Sequence, residues 1–318
     1  MVEKKKRWVR EVVGNYMVDL AAQDEKVVAV SADLFRSCRM EKFMERYPDR
    51  MYNTGIAEQN MVGFAAGLCR EGFKPYAFSM ASFVSMRACE QCRTDIAYAN
   101  ANAVLVGVYA GVSGGLSGAT HWSIEDCGIM TAFPNMSVLE PSDGLQAQKM
   151  LQATLDWNGP IYMRVSVVPS VDIYPEDYEY QIGKASIPVE GDDGAIICSG
   201  VLVQYAVEAA EEIRQETGKR IRVVDMHTIK PVDKQAIRDA AKTGFVLAAQ
   251  DHNTIGGLGY QVAAVIAEEG LRTKFKIAGI SDRFVPMARP DYLYATFEID
   301  KNGLKKQILA MMGDADHV

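Results

Sequence analysis

The chain has 318 residues, 48% hydrophobic and 24% charged, with a formal net charge of −7. At about 150 residues per domain, that length predicts two domains with cores of their own. The acidic balance argues against a nucleic-acid binder or a protein held electrostatically on a membrane, both of which need a basic face, and no run approaches the ~18 apolar residues of a spanning helix.

Met1 to Arg10 is basic, and Val12, Val13, Met17, Val18, Leu20 and Ala21 follow, interrupted by Glu11, Asn15 and Asp19. That pattern is an amphipathic helix and not the apolar core of a signal peptide, so a cytoplasmic protein is expected. Cysteines 38, 69, 89, 92, 127 and 198 are scattered, which predicts free thiols. Cys89 and Cys92 form a C-x-x-C without a second pair or suitably spaced histidines. It is read as packing within a helix over Met86 to Tyr98, and no metal ligand is expected in this chain.

Lys26 to Ser31 reads as a strand, Tyr47-Pro48-Asp49 as a turn, and Met51 to Asn53 as a lead into a helix after Gly55. In that helix Met61, Phe64, Ala65 and Leu68 form an apolar stripe, and Gly72 follows where a C-cap glycine belongs. Lys74 to Ser79 is the next strand, Phe83 to Tyr98 the next helix, and Ala103 to Tyr109 a further strand. Near-continuous apolar strands alternating with helices predict an α/β protein with mostly parallel sheets covered on both faces. Residues 1–175 form the first domain in this reading. Residues 176–193, in a proline-rich and acidic stretch, form a linker, and 194–318 a second α/β domain. Within the second domain, strands are expected at Ala195, Arg220 to Asp225 and Phe245 to Gln250. Helices are expected over 203–217, near Lys234 to Lys242 and after Gly259.

Several ordered segments resemble the transketolase family. Gly55-Ile56-Ala57-Glu58-Gln59, with Gly63-Phe64-Ala65-Ala66-Gly67 beyond it, resembles the family's G-I-x-E-Q/H segment. Ser31-Ala32-Asp33-Leu34 with Ser37 resembles its S-A-D-L…S loop, and Gly118-Ala119-Thr120-His121 with Glu125-Asp126 resembles its G-x-T-H…E-D. Phe133-Pro134-Asn135-Met136, Glu140-Pro141-Ser142-Asp143, Ile229-Lys230-Pro231-Val232-Asp233 and His252-Asn253 with Gly256-Gly257-Leu258-Gly259 continue the match in order. Each piece is weak, but the ordered set covers nearly the whole chain. The resemblance implies a thiamine diphosphate-binding pyrimidine domain followed by a transketolase C-terminal-like domain.

It also implies roles. Glu58 would face N1′ of the aminopyrimidine and exchange a proton there, which promotes formation of the thiazolium ylid. Taken alone, a first-turn glutamate serves only the helix dipole. Phe83 would stack on the pyrimidine, with Met80 and Met86 at two neighbouring positions where the family has aromatics; for a lone Phe, the alternative is core packing. Asp33 would lie near the cofactor across the subunit boundary. His121 would act at the reacting carbon of the substrate. Arg10 and Ser37 would hold a sugar phosphate. The four glycines within Gly111 to Gly118 suit a backbone that approaches a ligand closely.

The departures fall on the substrate side. Tyr109 stands where many members have a second histidine, Ser117 where they have an aspartate, and Val167 where an arginine grips phosphate; Arg164 is a candidate substitute for that arginine. The family's diphosphate signature, G-D-G with a later N-N, is missing: Gly191-Asp192-Asp193-Gly194 precedes a strand, and no asparagine follows before Asp251. A partner chain would then supply the domain that holds diphosphate and Mg²⁺ or Ca²⁺, in an α2β2 assembly. The expected function is the pyrimidine-side subunit of a split transketolase. It would move a two-carbon ketol unit from a ketose phosphate to an aldose phosphate. The alternatives are a β-type subunit of a 2-oxo acid dehydrogenase, half of a deoxyxylulose phosphate synthase, or a non-catalytic assembly subunit. Gly257-x-Gly259 is too incomplete for a dinucleotide fingerprint and is read as helix-start glycine use.

Overall fold

The fold is described from a computed structural model, over residues 6–313. Part of the basic start, residues 1–5, lies outside the described residues.

Two large sheets, each strand-rich in β-branched residues and sheathed by helices, form beside a small two-stranded one. The first has seven strands in the order Thr228–Lys230, Ser137–Leu139, Ile161–Val165, Val104–Val108, Lys74–Met80, Val27–Ser31 and Met51–Asn53. All pairings are parallel except that of Thr228–Lys230 with Ser137–Leu139. The two faces alternate along each strand, as the two-residue period requires. Val27 and Ala29 pack with Val13, Met17 and Leu20 of the helix Val9–Gln23 and with Met150 of the helix Gly144–Asp156. Val30, Ala77 and Leu105 point the other way, onto Met61 and Ala65 of the helix Glu58–Arg70.

The second sheet runs Lys274–Ile280, Phe245–Asn253, Ala195–Cys198, Arg222–Asp225 and Ser186–Val189, parallel except for the last pairing. Ile196 packs on Leu202 and Leu304, while Ala195 and Ile197 pack on Ile237 and Val262. No helix among the described residues is long and apolar enough to cross a membrane.

Four local expectations change. The stretch over 83–98 is not one regular helix: wide π-helical turns at Phe83–Arg87 and Cys92–Tyr98 flank a short α-turn, Cys89–Gln91. Such turns absorb an extra residue and concentrate near functional sites. Phe64 is exposed and meets Tyr52 at 5.3 Å between ring centroids, so the buried stripe of its helix rests on Met61, Val62, Ala65 and Ala66. The linker at 176–193 carries a strand, Ser186–Val189, that borders the second sheet; ahead of it, Pro169–Val171 pairs with Lys6–Trp8. Thr228–Lys230, read as part of the second domain, is an edge strand of the first sheet.

The junction buries titratable groups. Asp225 accepts from Gln146 Nε2 at 2.8 Å and from the Tyr174 hydroxyl at 2.7 Å, and its Oδ1 is left without a partner. Burial raises its carboxyl from the ordinary 3.8 to about 7, against the pull of those hydrogen bonds. An acid raised in the folded state contributes stability fully below its unfolded value and loses it as pH climbs through the folded one. Asp225→Asn should therefore abolish a loss of stability that the wild type suffers between about pH 4 and pH 7. Buried His227, lowered by desolvation to about 4, gives the opposite slope over part of that window. The variant-minus-wild-type difference in urea midpoint, followed across pH, isolates Asp225; a flat difference would refute the assignment.

Candidate active site

Every residue proposed for the cofactor or the substrate, apart from Ser117 and His121, lies on or just beyond the carboxyl end of a parallel strand or at the start of a flanking helix. Asp33 and Ser37 follow Val27–Ser31, Glu58 follows Met51–Asn53, Met80 ends Lys74–Met80 with Phe83 next, and Tyr109 follows Val104–Val108. In open α/β sheets ligands bind at this edge, because strand ends and helix starts converge there. Ser117 and His121 lie on the loop that follows Tyr109.

Glu58 opens its helix, preceded by Ala57 as N-cap, and is only 4% exposed. Its two carboxylate oxygens accept from Arg87 Nη1 at 3.3 and 3.4 Å. The same guanidinium lies over the ring of half-buried Phe83, 3.8 Å from its centroid. Glu58 and Phe83 thus already grip one planar N–H donor between a carboxylate and an aromatic face. An aminopyrimidine presents that same combination of a flat face and polar edge, so the residues present fit the ring. Arg87, with a side chain 53% exposed, has room to leave. It sits four residues after Phe83, the spacing that stacks side chains on one helical face, and the sequence reading did not single it out.

His121 stands 5.8 Å from Phe83, ring centroid to ring centroid. Its Nδ1 is 2.8 Å from the Thr120 hydroxyl and its carbonyl accepts from Ser82 Oγ at 3.0 Å. That anchors the ring and leaves Nε2 without a hydrogen bond among the described residues. Met80 is buried at its strand end, whereas Met86 is 43% exposed. Asp33 is exposed with φ 60°, and Asn53 Nδ2 donates to its Oδ1 at 3.0 Å. Ser117 is exposed in a short turn, Gly115–Ser117.

A second group forms around Arg10. Its Nη1 donates to the Tyr109 hydroxyl at 3.1 Å and to the Ser37 carbonyl at 3.2 Å. Tyr109 and Phe83 both border the same core cluster, so the Arg10 and Glu58 groups share one sheet edge. Ile56, 79% exposed, leaves an apolar side chain beside Glu58. Together with Ala57, Gln59, Asn60 and Arg87 these residues line an open shelf. Larger surface depressions, one around Trp8, Tyr16 and Arg46 and one around Gln152 and Tyr180, are lined by none of these residues.

Two expectations about this edge are corrected. Arg164 does not replace the missing phosphate arginine. It is 1% exposed, donates from Nε to Asp126 at 2.9 Å, pairs with Glu140, and gives Nη2 to the Asp251 carbonyl at 2.5 Å. Its strand points it into the domain junction. Asp126, Cys127 and His252 come within 4.8 Å there, but Arg164 already supplies the cation that Asp126 faces. The glycines of 111–118 mainly admit protein. A Cβ on Gly111 (φ +63°) would strike the Asp251 carboxylate at 2.1 Å, and Gly115 and Gly118 press on Pro290 and Met287. The loop is a docking surface for the second domain, tied by Val112 N–H donating to Asp251 Oδ1 at 2.9 Å. All six cysteines are free.

Comparison with known proteins gives the family. The family described as transketolase, pyrimidine binding domain, matches residues 5–167, and that described as transketolase, C-terminal domain, matches residues 183–304. The 6-deoxy-6-sulfo-D-fructose transketolase subunit SqwH of Clostridium sp. (strain MSTE9) is 37% identical over 297 residues, 93% of this chain and 92% of the relative. An apulose-4-phosphate transketolase subunit from Phocaeicola vulgatus is 36% identical over 295 residues, 92% and 94% of the two chains. A solved structure described as a split gene transketolase, inactive beta4 tetramer, superposes with a TM-score of 0.86 at 31% identity, over 96% of this chain and 98% of that one. On two matching domains and relatives aligned over nearly their full length, this chain belongs to the transketolase family, whose pyrimidine-binding and C-terminal domains it carries.

Proposed function

We propose that the chain is the pyrimidine-side subunit of a two-chain, thiamine diphosphate-dependent transketolase working in the cytoplasm. It would move a two-carbon ketol unit from an acid-bearing ketose to an aldose phosphate. The observation that carries the reading is the buried Glu58 carboxylate beside the open face of Phe83, at the carboxyl edge of a parallel sheet. Thiamine diphosphate, when bound, supplies the thiazolium carbon that accepts the two-carbon unit. Glu58 holds and returns a proton at pyrimidine N1′, a duty suited to a carboxyl shielded from water and fixed at a helix start. Phe83 supports the ring by stacking, with Met80 and Met86 at its margins. His121 offers Nε2 to a substrate oxygen. Arg10 pairs with the acid group, with the Ser37 carbonyl and the Tyr109 hydroxyl at its Nη1, and Ser117 is assigned to the substrate side on the loop that follows Tyr109.

The shelf exposes Ile56 beside Glu58, which suits a partner chain that closes over the ring. Relatives of this length are named as subunits, and the β-only tetramer is named inactive. In this reading the partner brings the diphosphate and its Mg²⁺ or Ca²⁺, Asp33 lies toward the shared boundary, and two copies of each chain assemble. The relatives' named substrates carry a sulfonate or a phosphate on the sugar, so the donor is assigned by its terminal acid group and not by one sugar.

The test is to co-produce the chain with a partner bearing the metal-binding domain and to add thiamine diphosphate with Mg²⁺. At a hundredfold excess over Kd the cofactor should stabilise the complex by about 2.7 kcal/mol, and the chain alone much less. Ketol transfer to ribose 5-phosphate is then assayed with xylulose 5-phosphate, apulose 4-phosphate and 6-deoxy-6-sulfofructose as donors. A complex that the cofactor does not stabilise would sink the enzyme reading and leave an assembly subunit in its place.

A further inference from the structure

Arg10 is in an unusual position for a cation. It lies in the first turn of the helix Val9–Gln23, where the helix dipole presents positive charge and disfavours another. It is 8% exposed, and no carboxylate among the described residues pairs with it. A buried guanidinium without a counter-charge is costly unless an anion arrives. Its hydrogen bonding is lopsided. Nη1 is spent on the Tyr109 hydroxyl and the Ser37 carbonyl, whereas Nε is buried with no partner and Nη2 makes no hydrogen bond among the described residues. Nε and Nη2 form one side of the planar fork, the side that takes two oxygens of a carboxylate, sulfonate or phosphate at once.

Tyr109 is what holds the fork in this orientation. Its backbone is left-handed, φ 64°, which is strained for a bulky residue and persists only where the surroundings impose it. The surroundings do so by close packing: a Cβ on Gly114 would meet the Tyr109 ring at 2.7 Å, so the loop leaves that ring no slack. From this fixed place the hydroxyl accepts from Arg10 Nη1, and the ring lies 5.3 Å from the guanidinium carbon.

We propose that Tyr109 is a positioning residue that locks Arg10 with its Nε/Nη2 edge toward the acid group of the sugar substrate, making one arginine a preformed two-pronged anion receptor. This deepens the proposed function and rests on its assignment of Arg10 to that acid group. Val167, which stands where the family's second arginine is expected, is buried and uncharged, so preorganisation of Arg10 carries the selectivity for acid-bearing sugars. Tyr109 acts through Arg10 and need not touch the substrate itself.

The experiment uses the full chain alone, with inorganic phosphate as probe, in calorimetric titration. Tyr109→Phe keeps the ring and its contact with Gly114, so the fold should hold, and circular dichroism and the thermal midpoint check that it does. Phosphate should bind roughly tenfold more weakly to Tyr109→Phe, the loss of one hydrogen bond to a charged group. Arg10→Lys, which keeps the charge without the fork, should lose at least as much, while the remote control Tyr98→Phe should match the wild type. The Arg10 Nε–H NMR resonance gives a second readout without any variant: it should sharpen and shift on adding phosphate. In the assembled enzyme, Tyr109→Phe should raise KM for xylulose 5-phosphate about tenfold, leave kcat within about twofold, and change KM for unphosphorylated xylulose little.

Equal phosphate affinity in folded Tyr109→Phe, or no phosphate binding to the wild-type chain, overturns the proposal. If phosphate binding depends on Tyr109 but the assembled complex transfers no ketol unit, the receptor stands and the transketolase reading falls. If ketol transfer is intact and Tyr109→Phe leaves KM unchanged, the reverse holds.

Discussion

Glu58→Gln in the assembled enzyme lowers kcat for ketol transfer by about 10²- to 10⁴-fold, the usual weight of a positioned proton-transfer group. The substitution keeps the side chain's volume and an acceptor oxygen for Arg87 Nη1, so packing at the helix start is undisturbed. In the proposed mechanism, what is lost is the ability to give and take a proton at the pyrimidine edge. The thermal midpoint of the chain should stay close to the wild type, and thiamine diphosphate should still stabilise the complex, because the proposed Phe83 stack and the proposed partner's hold on the diphosphate would remain. A fall in kcat with cofactor binding retained separates the proton role from a binding role. More than a tenth of wild-type kcat in a cofactor-saturated Glu58→Gln enzyme would remove Glu58 from the proton path. Glu58→Asp gives a graded check: it keeps the carboxyl but withdraws it by one methylene, so kcat should fall between the two.

Much of the fold was legible because its signals are local. Val27 to Ser31 and Val104 to Val108 are apolar on both faces, as buried parallel strands must be. The turn at Gly55 and the helix after it place Glu58 by sequence alone, and Gly72, with φ +86°, follows that helix as a C-cap glycine should. The signals that failed depend on distant partners. Gly111 and Gly115 announce a close approach but not what approaches, and the neighbours, Asp251 and Pro290, lie far along the chain. Arg164 sits next to a strand end that faces ligand, yet its side chain turns to carboxylates contributed by Asp126 and Glu140. Thr228 to Lys230 is too short for its own pattern to say which sheet it joins; pairing with Val138 and Leu139 decides. Arg87 escaped notice because nothing in a helical segment distinguishes a solvated arginine from one drawn over a ring by π-helical turns.

The largest effect on stability is expected at Arg164. A buried ion pair is weak evidence of net stabilisation, since removing its charges from water offsets most of their attraction. Breaking one from a single side is another matter. Arg164→Met would leave the Asp126 and Glu140 carboxylates buried and facing each other, with the Asp251 carbonyl stripped of its donor. Asp126 Oδ1 already lacks a partner. The loss should be about 3–5 kcal/mol, a large share of the roughly 5–15 kcal/mol that holds a typical native protein together. Asp251 sharpens the expectation. Burial lifts its carboxyl to about 6, and Arg164 is the first influence that pulls it back down. Without that guanidinium Asp251 should rise further, which weakens its grip as acceptor for the Val112 N–H and so the seam between the glycine loop and the second domain. Arg164→Lys keeps the charge but cannot reach three partners from one fork, so it should lie between Met and wild type. Urea midpoints at pH 7 measure the order. If Arg164→Met unfolds within about 1 kcal/mol of the wild type, the junction relaxes and takes in water to solvate its carboxylates, and the seam is held by apolar contacts such as Val112 and Trp122 instead.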